Sequence, residues 1–209
     1  MAPHALLLLT PSCPHCRQVL HALTELLEEG RIARLEAVDI TQEPGAVPSA
    51  DIRSVPWIRI GPLEFSGGYS AAELDHWARA AAGEDGGAHA YLTDLLERGG
   101  LDRARTWLDR HPEYLPAVLD LLGDTRTPMA VRIGASALLE DLADDPRLDA
   151  LLPRLAALIR APEPQVRADA AHILSLLRSA EARPHLEALQ EDPDAEVREI
   201  AAESLEKVP

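Results

Sequence analysis

"TPSCPHCRQVL", residues 10–20, holds both cysteines of the chain, Cys13 and Cys16, with Pro14 and His15 between them. Such a pair has three readings: a redox centre, half of a metal site, or two buried structural thiols. The flanking sequence weighs them. Residues 5–10 read as a buried strand. Residues 14–29 read as a helix, with Val19, Leu20, Leu23, Leu26 and Leu27 in an apolar stripe at helical spacing. A strand that feeds a helix at the first cysteine sets Cys13 against unpaired N–H groups and the positive end of the helix dipole, where an anion is stabilised. Thiols in such motifs ionise at roughly pKa 3.5–7.5. Cys16, one turn later, is placed to attack a mixed disulfide formed on Cys13. Pro14 stiffens the first turn without wasting an N–H, and a protonated His15 would add a cation beside the thiolate. Zinc asks for four ligands, and the chain has no third cysteine. The redox reading is therefore preferred, with no metal.

The totals narrow the setting. A length of 209 residues suits one large domain or two small ones, and 46% apolar residues suffice for real cores. The net charge of −15 repels phosphate backbones, which argues against nucleic acid. The opening "MAPHALLLLT" has a short apolar run with no basic residue ahead of it. It fits neither a signal peptide nor a membrane span of about 20 apolar residues. The expected compartment is the cytoplasm, where a close cysteine pair is more often catalytic or metal-binding than structural.

The composition breaks at "GEDGG", residues 83–87. Ahead of Glu84 there are 6 basic and 10 acidic residues; from there on there are 14 and 25, so the acidity lies mostly in the second half. The first half alternates strands and helices. After the first helix come strands at 35–40, 57–60 and 63–65, the last two joined at Gly61-Pro62 as a tight hairpin. Ser70 then opens a helix as N-cap, with Glu73 as its capping-box partner. The order is β-α-β-β-β-α.

The second half repeats. Val131-Arg132, Val166-Arg167 and Val197-Arg198 lie 35 and 31 residues apart. Each valine is followed at four residues by Ala135, Ala170 or Ala201 and at eight by Leu139, Leu174 or Leu205. Pro116, Pro153 and Pro184 each sit just inside an apolar helix start. Each unit is a helix pair that must stack on its neighbours to bury its apolar face, which makes an α-solenoid. "DPDAEVREIAAESL" (192–205), "PEPQVRADAAHIL" (162–174) and "TPMAVRIGASALL" (127–139) resemble the short HEAT repeats of bacterial proteins. In that resemblance the three arginines bridge neighbouring units. The expected divisions are 1–83, a helical connector or degenerate capping repeat at 84–111, and the solenoid at 112–209.

The first half resembles the thioredoxin superfamily in its compact, glutaredoxin-like form. "CPHC" at 13–16 follows a strand and opens a helix, "SVP" stands at 54–56, and "SGGYS" stands at 66–70. The resemblance implies a cis bond at Pro56 beside the cysteines and a Val55 that offers its backbone to an extended substrate. It also implies a Gly67-Gly68 turn ahead of the last helix. Trp57 is placed to line the groove or to fill the core. Glutaredoxins carry a basic residue three positions before the first cysteine, where this chain has Thr10.

Together these imply a thiol–disulfide oxidoreductase with Cys13 as nucleophile and Cys16 as resolving thiol. The pair itself is the redox-active disulfide and no other cofactor is expected. The partners would be a protein bearing a disulfide or oxidised cysteine, recruited by the repeats, and a thioredoxin reductase-like or glutathione electron donor, with no membrane. Two other readings stand beside it: an interaction scaffold with a non-catalytic thioredoxin-like half, and a glutathione-dependent glutaredoxin.

Overall fold

The computed structural model describes residues 1–48, 52, 54–83, 86–143, 145–177 and 179–208. The expected turn at 83–87 includes Glu84 and Asp85, which lie outside the described residues. The backbone divides into two compact units, Met1–Tyr91 and Leu92–Pro209.

The first unit runs β1 (His4–Leu9), α1 (Pro14–Glu28), β2 (Arg34–Asp39), β3 (Trp57–Ile60), β4 (Leu63–Ser66) and α2 (Ala71–Ala81). This is the expected β-α-β-β-β-α order. The sheet order is β2-β1-β3-β4. β1 pairs parallel to β2 and antiparallel to β3, and β3 pairs antiparallel to β4. Strand β1 ends one residue before the sequence expectation because the Thr10 carbonyl turns to accept the Cys13 N–H at 3.2 Å. Strand β2 ends at Asp39, whose carboxylate accepts from the Thr41 N–H (2.9 Å) and hydroxyl (2.7 Å), a local turn that competes with the ladder.

Leu7, Leu8, Ile58, Ile60 and Phe65 from the sheet, with Val19, Leu23 and Leu26 from α1 and Leu74 from α2, form the buried core. Helix α1 ends in a Schellman motif: Gly30, at φ 72°, donates to Leu27 O (3.1 Å) and Arg31 donates to Leu26 O (2.8 Å). Ser70 caps α2 with the full reciprocal capping box to Glu73. The edge strand β4 is closed at one residue. The Tyr91 hydroxyl donates to Glu64 O (2.7 Å) and accepts from Glu64 N–H (3.1 Å). Its ring packs edge-on against Phe65 and Trp77.

The helix that carries Tyr91, α3 (Ala88–Glu97), spans the division between the units. In the second unit follow α4 (Leu101–Arg110), α5 (Leu115–Gly123), α6 (Met129–Glu140), α7 (Leu152–Leu158), α8 (Pro164–Leu176), α9 (Arg183–Leu189) and α10 (Ala195–Leu205). Helices α5 and α6, α7 and α8, and α9 and α10 pack as pairs, while α6, α8 and α10 form a continuous row. This is the α-solenoid of HEAT-type helix pairs. The repeat valines and alanines are the buried knobs: Val131, Val166 and Val197 are at most 1% exposed, as are Ala135, Ala170 and Ala201.

The arginines after the valines cap the turn before their own helix. Arg132 donates to Leu122 O (2.9 Å) and Asp124 O (3.3 Å) and pairs with Asp169 of the next unit. Arg167 donates to Ala161 O and Pro162 O (both 2.9 Å) and grips both carboxylate oxygens of Asp192 at 2.7 and 2.8 Å. Arg198 donates to Asp192 O (2.6 Å) and Pro193 O (3.1 Å). Each guanidinium thus satisfies backbone carbonyls of the turn between the two helices of its unit, and that of Arg132 also reaches Leu122 in the last turn of α5. Among the described residues no helix is long and apolar enough to cross a membrane.

Candidate active site

Cys13 is the N-cap of α1, with extended backbone at φ −83° and ψ 115°. Its Sγ accepts the Cys16 backbone N–H at 3.2 Å, the place where a serine or aspartate oxygen more often caps a helix. Pro14 occupies the first helical turn, where a missing N–H costs nothing. Cys13 is half-buried, Cys16 is buried, and both thiols are free.

The two sulfurs are driven apart in acidity. Cys13 is held below the ordinary thiol range, first by the Cys16 side chain, which donates to it, and then by the backbone N–H groups of Cys16 and His15. Cys16 is pushed up to about 11, first by burial and then by the bond and charge of Cys13. Cys13 is thus the more acidic thiol of the pair and Cys16 the less acidic. This asymmetry is what a nucleophile and a resolving thiol need.

The fold brings the other two motifs to the same end of the sheet. The Val55–Pro56 bond is cis. The Val55 carbonyl lies 3.8 Å from Cys13 Sγ and accepts its S–H. Gly67, at φ 106°, donates its N–H to Pro56 O at 2.9 Å. Gly68 lies beneath the His15 ring, so close that a Cβ there would stand 3.3 Å from His15 Nδ1.

Two comparisons with known proteins bear on this geometry. Residues 5–79 match the family model described as thioredoxin domain. Residues 129–206 match the model described as HEAT repeats. The chain is a thioredoxin domain fused to HEAT repeats. No curated protein matches it. The thioredoxin match spans every site residue named from the sequence, and the HEAT match spans all three Val-Arg copies.

Within the thioredoxin domain the site residues do not all stand at the groove. Trp57 is only 4% exposed and pairs in β3 with Leu8 and Ser66, so it fills the core. His15 acts on Cys13 through its backbone N–H, while its exposed ring rests on Gly68. The lock of Tyr91 on Glu64 and the aspartate partners of the HEAT arginines were missed. Asp192 could have been found from its place in the "DPD" signature. Tyr91 carries no local signal, since its partner lies 27 residues away.

Proposed function

We propose that this chain is a thiol–disulfide oxidoreductase of the cytoplasm whose HEAT repeats recruit a protein substrate to the Cys13–Cys16 dithiol. The observation that carries the reading is the opposite displacement of the two thiol pKa values, at a helix N-terminus beside the Val55–Pro56 loop.

The Cys13 thiolate attacks one sulfur of a substrate disulfide. The substrate S–S bond breaks, a Cys13–substrate disulfide forms, and the departing thiolate takes up a proton. Cys16 then gives up its proton and attacks Cys13 Sγ. The mixed disulfide breaks, the Cys13–Cys16 disulfide forms, and the second substrate thiol leaves protonated. Two electrons have passed to the substrate. A dithiol or thiol donor, such as a thioredoxin reductase-like system or glutathione, restores the pair. The pair itself is the redox centre and no further cofactor takes part.

Ionisation prepares the substrate site. The Val55 carbonyl accepts the S–H of Cys13 in the thiol form. Once Cys13 is a thiolate that donor is gone, and the carbonyl is left to take a backbone N–H from an extended substrate strand. Gly67 and Pro56 hold this loop through their backbone bond, and Gly68 gives the His15 ring its seat.

The experiment is turnover of insulin disulfides by the full chain with dithiothreitol as donor. The reading expects acceleration over dithiothreitol alone that Cys13→Ser abolishes. No acceleration, or an equal rate for Cys13→Ser, would leave the chain an interaction scaffold.

A further inference from the structure

Helix α6 carries two of the few large apolar side chains that, among the described residues, the fold leaves in water. Met129 is 61% exposed and Ile133, one turn on, is 63% exposed. With Ala137 they form a stripe at i, i+4 and i+8, and they floor a groove of about 260 Å³ between α6 and α8. Gln165 and Asp169 line it from α8, and Glu140 stands at the end of α6. The only cation in the wall, Arg132, is 6% exposed and already committed to Asp169 and two carbonyls. It offers little positive charge to an incoming group.

Stacking of the repeats does not require this apolar stripe. The position of Ile133, two residues after the repeat valine, is held by Ala168 in α8 and by an exposed Glu199 in α10. Ala168 is buried and Glu199 exposed, while Ile133 itself is 63% exposed, so burial inside the solenoid is not the reason for isoleucine. Along the same row the surface turns acidic. Glu140 is half exposed and lies 3.0 Å from His172, and Glu196 lies near enough to act electrostatically on Asp169. Glu199 and Glu203 continue the exposed face of α10. An apolar stripe thus lies beside an acidic one across α6, α8 and α10.

We propose that this face docks a basic amphipathic segment of a partner protein, with Met129 and Ile133 against its apolar side and Glu140, Glu196 and Glu199 against its cations; the proposal rests on the reading that the repeats recruit the substrate. Charge complementarity selects this occupant. A second copy of the chain, at −15, would bring acid against acid. Nucleic acid and anionic lipid are repelled for the same reason. Two apolar anchors one turn apart match a helix that presents its own apolar residues at i and i+4.

The test uses the full chain and a fluorescein-labelled helical peptide with leucines at i, i+4 and i+8 and lysines flanking them. A scrambled peptide of equal composition and a version with glutamate for lysine serve as comparisons. The patterned lysine peptide should bind at least about tenfold more tightly than either, and Met129→Gln/Ile133→Gln should remove about tenfold of that affinity. Glu199→Lys should weaken binding and flatten its salt dependence. Both variants should melt as the parent does and should keep insulin turnover.

Equal affinity for patterned and scrambled peptides, or an unchanged affinity in the glutamine variant, would overturn the docking site. So would self-association of the parent chain that the glutamine variant abolishes, since a second copy would then be the occupant. Peptide binding as described in a chain that fails to turn over insulin would keep the docking site and remove the oxidoreductase reading.

Discussion

The sulfur of Cys13 lies 3.8 Å from the carbonyl oxygen of Val55, a residue 42 positions further along the chain. The contact joins two segments that are separate in sequence, the helix start and the loop ahead of β3, at the thiol with the lowered pKa. In the proposed mechanism, chemistry and substrate backbone meet at this point.

Cys16→Ser should trap substrates as stable disulfides on Cys13, because the attack that releases them is lost. A serine hydroxyl also donates a different bond to the Cys13 sulfur than the thiol does. Since the Cys16 side chain is the largest contributor to Cys13 acidity, the alkylation pKa of Cys13 should change more in this variant than in any other single substitution of the motif. Mass spectrometry of captured adducts and iodoacetamide rates against pH check the two parts.

His15→Ala should move that alkylation pKa little. The contribution of His15 comes from its backbone N–H, and alanine keeps it. A rise of Cys13 back to the ordinary thiol value of about 8.5 in this variant would restore the imidazole to the central role.

How far the sequence reveals the fold depends on how local the cause is. Strand β3 at Trp57–Ile60 and the Ser70–Glu73 box follow from a few adjacent residues, and both stand where expected. The end of β1 does not, because Thr10 leaves the strand for a turn that Cys13 closes. At the site, the dithiol and the loop residues were legible as motifs. The packing inside them was not: the His15 ring lies against Gly68, 53 positions away, and no local pattern marks that contact.

Tyr91→Phe keeps the ring against Phe65 and Trp77 but removes the hydroxyl that bonds the N–H and carbonyl of Glu64. We expect a loss of about 1–2 kcal/mol in urea unfolding. A fragment that stops after Gly83 removes the ring as well and should be less stable than one that ends after Glu97. The relative midpoints of the two fragments check this.

The two arginine–aspartate pairs of the repeats should differ. Asp192 is held below the usual carboxylate range, first by its hydrogen bonds from Arg167 and then by the Asp194 N–H. Asp169 is raised, first by burial, against the pull of Arg132. A depressed carboxylate adds stability that is present above the unfolded pKa of about 4 and is lost as pH falls below it. Asp192→Asn should therefore flatten the acid limb of stability, and Arg167→Met should cost about 3 kcal/mol at neutral pH. Asp169 has the opposite sign, so Asp169→Asn should cost less than Asp192→Asn. Thermal melts across pH 3–7, about the carboxylate range, decide it.

The most direct test of the central claim is the rate of alkylation of each cysteine in the reduced full chain as a function of pH, resolved by peptide mapping. The account predicts that Cys13 reacts as a thiolate below the ordinary thiol pKa while Cys16 stays protected until pH approaches 11. Two thiols that titrate together near the ordinary value of about 8.5 would contradict it.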